Sequence, residues 1–185
     1  MRSAKSTNGS PACEEDTMSD HHDKQELERR LWKRLSDHAA GMLGLHDRDM
    51  HMQPMHPYVD EELKTLWFIT SRDTDLVSAI GVGATAHFTV TDDDKGFYAC
   101  MRGPIVQSSD SKKLDEIWSM VAASWFEGGR DDPNIVLLEM PLSDALVWAS
   151  DESGLEFAIQ IARANIMGGT PDVGTRAHLE FSTAA

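Results

Sequence analysis

Two short segments carry the residue types from which chemistry could be built. Thr70 and Ser71 close the apolar run Lys64-Thr-Leu-Trp-Phe-Ile-Thr70, so two hydroxyls stand at a strand end, with Arg72 beside them. A phosphate asks for that set: hydroxyls, backbone N–H groups and a cation. The second segment is Ser124-Trp-Phe-Glu-Gly-Gly-Arg-Asp-Asp-Pro133. Trp125 and Phe126 offer adjacent aromatic rings. Gly128 and Gly129 permit backbone conformations with positive φ, and the aspartates and Pro133 that follow build a turn. A flat ring system could lie against rings held by such a turn. Each segment also has a purely structural reading. Thr70 and Ser71 can be a strand end followed by a helix cap, and Trp125 and Phe126 can be the end of a helix whose rings enter the core.

The elements that position these residues are read from periodicity. Asp23-Lys-Gln-Glu26 is a capping-box sequence that opens a helix. Leu27, Leu31 and Leu35 follow at i, i+4 and i+8 with Trp32 beside them, and Gly41 is a helix stop. Met42–Leu45 and Met50–Met55 alternate around Asp47 and Asp49 as a hairpin, with Pro54 placing the second strand at an edge. Lys64–Thr70 is the clearest strand. A short helix is expected near Thr74–Ile80, capped by Ser71 or Asp73 and broken by Gly81 and Gly83. Ala84–Val90 and Phe97–Met101 flank an acidic turn. Gly103 and Pro104 interrupt before Ile105–Gln107. Asp110 or Ser111 opens a helix whose Leu114, Ile117, Trp118 and Val121 share a face. Ile135–Met140 and Ala145–Ala149 are strands, Leu155–Met167 has helical spacing, and a polar segment ends in Ala177-His-Leu-Glu-Phe181.

This order predicts a mainly β chain with flanking helices, about six or seven short antiparallel strands in a small split barrel. The helices are too few for a parallel sheet alternating with helices. The expected organisation is a disordered acidic, polar tail over 1–22, a split-barrel domain with its N-terminal helix over 23–150, and a C-terminal helix and tail over 151–185 that pack on the barrel.

The 185 residues suffice for one domain with a real core. A formal net charge of −14 argues against nucleic acid as the main partner. Cys13 and Cys100 form no Cys-x-x-Cys pair and no disulfide framework, which fits a reducing compartment. No apolar h-region follows Arg2 and Lys5, and no apolar run reaches membrane-spanning length, so the expectation is a cytoplasmic protein without a membrane partner.

Taken together, four motifs resemble the FMN-binding split-barrel proteins related to pyridoxamine 5′-phosphate oxidase, in the general stress protein branch. Leu66-Trp-Phe-Ile-Thr-Ser71 resembles the family's Leu-Trp-Phe-x-Thr strand. Lys113-Leu-Asp-Glu-Ile-Trp118 resembles its helix before the turn, and Ser124–Pro133 its Trp-Phe-x-x-Gly-x-Asp-Asp-Pro signature. Gly168-Gly-Thr-Pro-Asp-Val-Gly174 resembles its C-terminal Gly-x-x-Pro-Asp-x-Gly. The resemblance spans residues 25 to 181. It implies a homodimer with FMN in a groove between subunits, Thr70 and Ser71 on the phosphate, and the turn from Trp125 to Gly129 reaching the flavin from the partner subunit.

Departures from the pattern fall on the same site. The family's Arg-Pro-Met triplet is Gln53-Pro54-Met55 here, and its lysine in Ser-x-Lys-Val is Leu76. Both phosphate cations are therefore missing, and Asp75 adds negative charge. Charge-assisted hydrogen bonds contribute about 1.5–3 kcal/mol each, so losing two weakens binding by roughly two to four decades. Arg72, Arg102 and Arg130 are the cations available to compensate. Gln53 could reach the phosphate or a flavin edge, or simply sit on a half-exposed strand.

His46, Asp49, His51 and His56 form a second constellation, and His21 and His22 a pair. Neither shows the paired ligands of a structural zinc site, so no metal is expected. No triad, paired carboxylates, P-loop or nucleotide fingerprint stands out, and no catalytic residue is named. A flavin would carry the redox chemistry itself. The expected function is a flavin-binding protein, an FMN-dependent oxidoreductase tied to stress. The alternatives are a non-enzymatic split barrel that has lost FMN or holds another ligand, and an acidic module that binds a protein partner.

Overall fold

The computed structural model describes residues 12–37, 40–150 and 174–181. The helical pattern at Leu155–Met167, most of the C-terminal glycine motif and residues 1–11 lie outside the described residues. The chain folds in the order α1 (Ala12–Ser36), β1 (Gly41–Leu45), β2 (Gln53–Met55), β3 (Tyr58–Asp60), β4 (Thr65–Ser71), α2 (Asp75–Ile80), β5 (Ala84–Asp92), β6 (Phe97–Ser108), α3 (Ser111–Ile117), α4 (Met120–Ala123), β7 (Ile135–Pro141), β8 (Asp144–Ala149) and β9 (Thr175–Glu180). Every strand pairing is antiparallel.

The nine strands form one curled sheet in the order β2-β1-β5-β6-β7-β4-β3, with β8 and β9 branching from β6. Strand β6 is the joint. Its first half pairs with β8 from Phe97 to Arg102, and its last residues pair with β7 from Val106 to Ser108. Gly103 lies at the change of partner. A Cβ there would stand 2.0 Å from the Pro141 carbonyl oxygen, so only glycine allows the strands to come that close.

The expected break at Gly103 and Pro104 does not occur, because β6 runs through it. The Thr85 carbonyl accepts from His46 N–H at 2.8 Å, so the polar backbone of Thr85 faces β1. Thr85 pairs with Pro104, and the backbone nitrogen of Pro104 therefore faces away from β5, toward the side where β6 is between partners. The N–H that proline lacks would have had no ladder bond there.

The barrel interior is filled by one large cluster. Leu66 and Phe68 of β4, Phe88 of β5, Met101 and Ile105 of β6, and Leu138 and Met140 of β7 are all fully buried. The apolar stripe of α1 closes one end as its spacing predicts: Leu27, Leu31, Trp32 and Leu35 are buried in this cluster, and the Trp32 ring meets Phe181 at 5.6 Å. Other boundaries differ from expectation. Helix α1 runs through Asp23–Glu26 rather than opening there, and Gly41 begins β1 rather than ending a helix. The polar segment that ends in Phe181 forms β9, paired with β8 over its whole length. Its alternation, with Ala177, Leu179 and Phe181 buried, is the signal of a half-buried strand. The β1–β2 hairpin forms as read, with Pro54 on the edge strand.

The outer face of β4 and β7 carries a second, smaller cluster. Trp67, Leu114 and Leu137 are its buried centre, flanked by Tyr58, Ile69, Ile117, Trp118 and Ile135. Residues Leu66–Ile69 are apolar in succession because both faces of β4 are covered. Asp110 caps α3 by accepting from Lys113 N–H at 2.9 Å. The helix then ends at Trp118, short of Val121. Ser119 stops it by capping a new turn, its Oγ accepting from Ala122 N–H at 3.2 Å.

Candidate functional site

A cleft of about 570 Å³ opens at the end of β4, on the edge of the outer cluster. It is lined by Ala40 before β1, Pro54 and Met55 of β2, His56, Tyr58 of β3, Ile69 to Ser71 of β4, Thr74, and Ala122, Trp125 and Phe126. That size lies within the range of about 300–1,000 Å³ for small-molecule sites. Its walls are mostly apolar and aromatic. Tyr58 meets His56 edge-on at 5.1 Å, and Phe126 tilts against Trp118 at 6.1 Å. Trp125 is 81% exposed, an unusual degree for an indole.

The turn that carries these rings is built by its glycines and aspartates. Gly129 has φ +64, and Gly128 N–H donates to Asp132 Oδ2 at 3.2 Å. Asp132 Oδ1 also accepts from Asn134 N–H at 2.8 Å. Gly128 and Gly129 do not line the cleft; they shape the support on which Trp125 and Phe126 stand. Tyr58 Oη lies 3.5 Å from Ser119 Oγ, joining β3 to the same support. Lys113 adds an ion pair to Asp60 at 2.9 Å. Burial pushes the Asp60 carboxyl up, but the Lys113 ammonium and the Leu63 N–H outweigh it and hold the carboxyl below its ordinary range. Burial likewise lowers the Lys113 ammonium, and Asp60 and Glu116 more than reverse that.

The structure thus brings together Pro54, Met55, Thr70, Ser71, Trp125 and Phe126. They meet within one chain, whereas the resemblance implied a turn reaching across from a partner. Gln53 sits half-buried on β2 opposite Leu43 and does not line the cleft. Leu76 is fully buried in the barrel cluster, which accounts for an apolar residue at that position. The helix cap is Thr74 rather than Ser71 or Asp73, since its hydroxyl accepts from Val77 N–H.

None of the compensating arginines lines the cleft. Arg72 turns away, its Nε donating to the Pro133 carbonyl at 3.3 Å, and it lines a separate cavity of about 180 Å³ together with Arg130. Arg130 is held by Asp115 at 2.6 Å and by the Ser111 carbonyl. Arg102 is paired with Asp144, its Nε at 2.9 Å. Tyr58, His56, Ile69 and Ala122 are lining residues that the sequence reading did not place here; only the pairing of Tyr58 with Trp67 brings the first of them beside β4. Of the histidine constellation, His46 contacts Asp47 at 3.2 Å and His87 at 5.6 Å, while His56 faces the cleft. Among the described residues no group of His, Cys, Asp and Glu is arranged to hold a metal. No helix among them is long and apolar enough to cross a membrane.

Comparison with known proteins agrees with this geometry. General stress protein 26 of Bacillus subtilis is 26% identical over 132 residues, covering 70% of this chain and 93% of that protein. A general stress protein 26 structure from Jannaschia sp. CCS1 is 36% identical, covers 85% of this chain and 99% of its own, and superposes with a TM-score of 0.71. The general stress FMN/FAD binding protein of Xanthomonas citri is 30% identical over 70% of this chain and 92% of its own, with a TM-score of 0.64. Residues 26–172 match the family described as pyridoxamine 5′-phosphate oxidase like. The curled antiparallel barrel, the Trp-Phe turn beside the Thr-Ser corner and a match over most of the sequence lead to one conclusion: this chain belongs to the pyridoxamine 5′-phosphate oxidase-like family.

Proposed function

We propose that the protein binds a flavin, FMN being the form the family resemblance points to, in the cleft between β4 and the Trp125–Phe126 turn, and acts as a stress-related oxidoreductase. The observation that carries this reading is the cleft itself: an open, aromatic-walled slot at the Thr70–Ser71 corner, in a chain whose relative from Xanthomonas citri is named an FMN/FAD binding protein. The walls fit a flat tricyclic ring. Tyr58, Ile69, Phe126 and Trp125 would hold the isoalloxazine by apolar contact and stacking. A bound flavin supplies hydride and electron transfer; this chain supplies placement and exclusion of water.

A second copy of the chain belongs to the proposal. Tyr98 and Trp148 stand opposite one another on the outer face of β6 and β8, each about two-fifths exposed, and Met42 shares that face from β1. Such a surface suits burial in a homodimer, which would also shelter Trp125 if the partner reaches the cleft. A reducing compartment, the cytoplasm, fits the free thiol of Cys100.

The experiment is direct. The purified protein is expected to carry or take up flavin, seen as visible absorbance and as quenching of FMN fluorescence on titration. Colourless protein that leaves FMN emission unchanged at micromolar concentration overturns the reading. Light scattering after size exclusion tests the dimer, and a monomer at working concentration removes it.

A further inference from the structure

The flavin reading fixes the ring end of the ligand; the hydrogen bonds of the corner speak to its other end. A phosphate dianion only accepts hydrogen bonds, so each hydroxyl or N–H that would hold it must have a proton to give. Of the threonine and serine hydroxyls that line the cleft at this corner, that of Thr70 has no bonded acceptor among the described residues, but the other two are already committed. Ser71 has one hydroxyl proton, and it goes to Asp73 Oδ1 at 2.6 Å. The Thr74 hydroxyl donates to the Ser71 carbonyl at 3.0 Å and accepts from Val77 N–H at 3.3 Å. The Arg72 N–H donates to the Asn134 carbonyl at 2.8 Å and the Thr74 N–H to the Ser71 carbonyl at 3.3 Å. Among the described residues, no Lys or Arg lines the cleft. The adjacent guanidinium, Arg72, is drawn to Pro133 and opens onto a different cavity. Asp73 meanwhile places a carboxylate against the Ser71 hydroxyl at the mouth of this corner.

From this arrangement we infer that the cleft recognises flavins chiefly by the ring, takes those with an uncharged ribityl end at least as well as the phosphorylated form, and uses Asp73 as the residue that discriminates. This rests on the flavin reading above and sharpens it. The mechanism is repulsion plus an unmet demand for donors. A phosphate brought to Ser71 faces the Asp73 charge, and to gain the Ser71 proton it must take it from a carboxylate. Because Asp73 is exposed, its field is screened by salt.

The test compares riboflavin with FMN on the full-length protein by fluorescence titration, above pH 7, at low and at moderate ionic strength. The expected result is dissociation constants within about threefold of one another, riboflavin the tighter at low salt, a ratio worth at most about 0.7 kcal/mol. Added salt is expected to improve FMN and leave riboflavin unchanged. Asp73→Asn is expected to tighten FMN by about threefold to tenfold without moving riboflavin. FMN binding tenfold or more tighter than riboflavin and weakening with salt would overturn the inference while keeping the flavin reading. So would a Ser71→Ala variant that loses affinity for FMN but not for riboflavin. Failure of both flavins to bind removes the flavin reading itself, and this inference with it.

Discussion

Strand β4 has two faces, and they lead different lives. Leu66 and Phe68 point into the barrel, where each is fully buried among residues from several strands. Trp67 and Ile69 point outward, covered only by α3 and the turn that follows, in a cluster with three buried members. Inside, the curled sheet wraps one large buried cluster. Outside, a short helix and an irregular segment cover one end of the strand and leave the other open, and that uncovered end is the cleft. A single strand therefore serves stability on one side and, in the proposed flavin site, recognition on the other. What separates the two is how much regular structure is available to cover each face.

Substitutions should separate the faces. Phe68→Ala removes a fully buried ring from the barrel interior and is expected to destabilise by about 3–5 kcal/mol, measured by denaturant unfolding. A cost below about 1 kcal/mol would mean that the inner face is not the main core. Lys113→Met cuts the tie from α3 to Asp60 and is expected to cost about 1.5–3 kcal/mol, the range for a hydrogen bond to a charged group. Its more telling readout is hydrogen exchange, which should rise in α3 and the Trp125 turn while the barrel strands stay protected.

Acid should act on the same tie. The Asp60 carboxyl is held below its ordinary range, so the stability it contributes is present above the unfolded carboxylate pKa and is lost as pH falls through the depressed folded value. Unfolding profiles of the wild type and Asp60→Asn should converge in acid and separate toward neutrality. Parallel profiles would show that the pair contributes nothing.

Trp125→Ala is expected to change stability by no more than about 0.5 kcal/mol, since the ring is largely exposed. Flavin affinity should fall about threefold to tenfold, the loss of one stacked ring. A stability loss as large as that of Phe68→Ala would instead place Trp125 in a core. A small effect is also expected at Trp67, whose buried indole N–H has no hydrogen-bond partner among the described residues. Trp67→Phe gives up some contact area but relieves an unmet donor, and the net change should stay within about 1 kcal/mol.

How far the sequence carried the site depends on the residue. Pro54, Met55, Thr70, Ser71, Trp125 and Phe126 were legible because they belong to local motifs, and the cleft gathers all of them. Gly128 and Gly129 were legible as turn-makers, and their work is in the support rather than in the wall. Gln53 and Leu76 were chosen by analogy with a charged pattern; only the register of β2 and the inward face of α2 show that neither lines the cleft. Tyr58 and Ala122 lie far from the corner in sequence and nothing local marks them.

What the sequence determined by itself is whatever depends on near neighbours: the α1 stripe of Leu27, Leu31 and Leu35, the β1–β2 hairpin with its proline edge, the continuous apolar run of β4, and the motif order that indicates the family. Those signals are local because helix period, strand alternation and turn chemistry act over a few residues. Tertiary structure decided the rest. It carried β6 through Gly103 and Pro104, because the missing N–H faces a gap between two partner strands. It made β9 a strand by giving it β8 to pair with. It also decided which way two polar side chains at the corner turn, Arg72 toward Pro133 and Ser71 toward Asp73. The direction a side chain takes is set by the groups that happen to be within reach, and those are assembled only when distant segments meet.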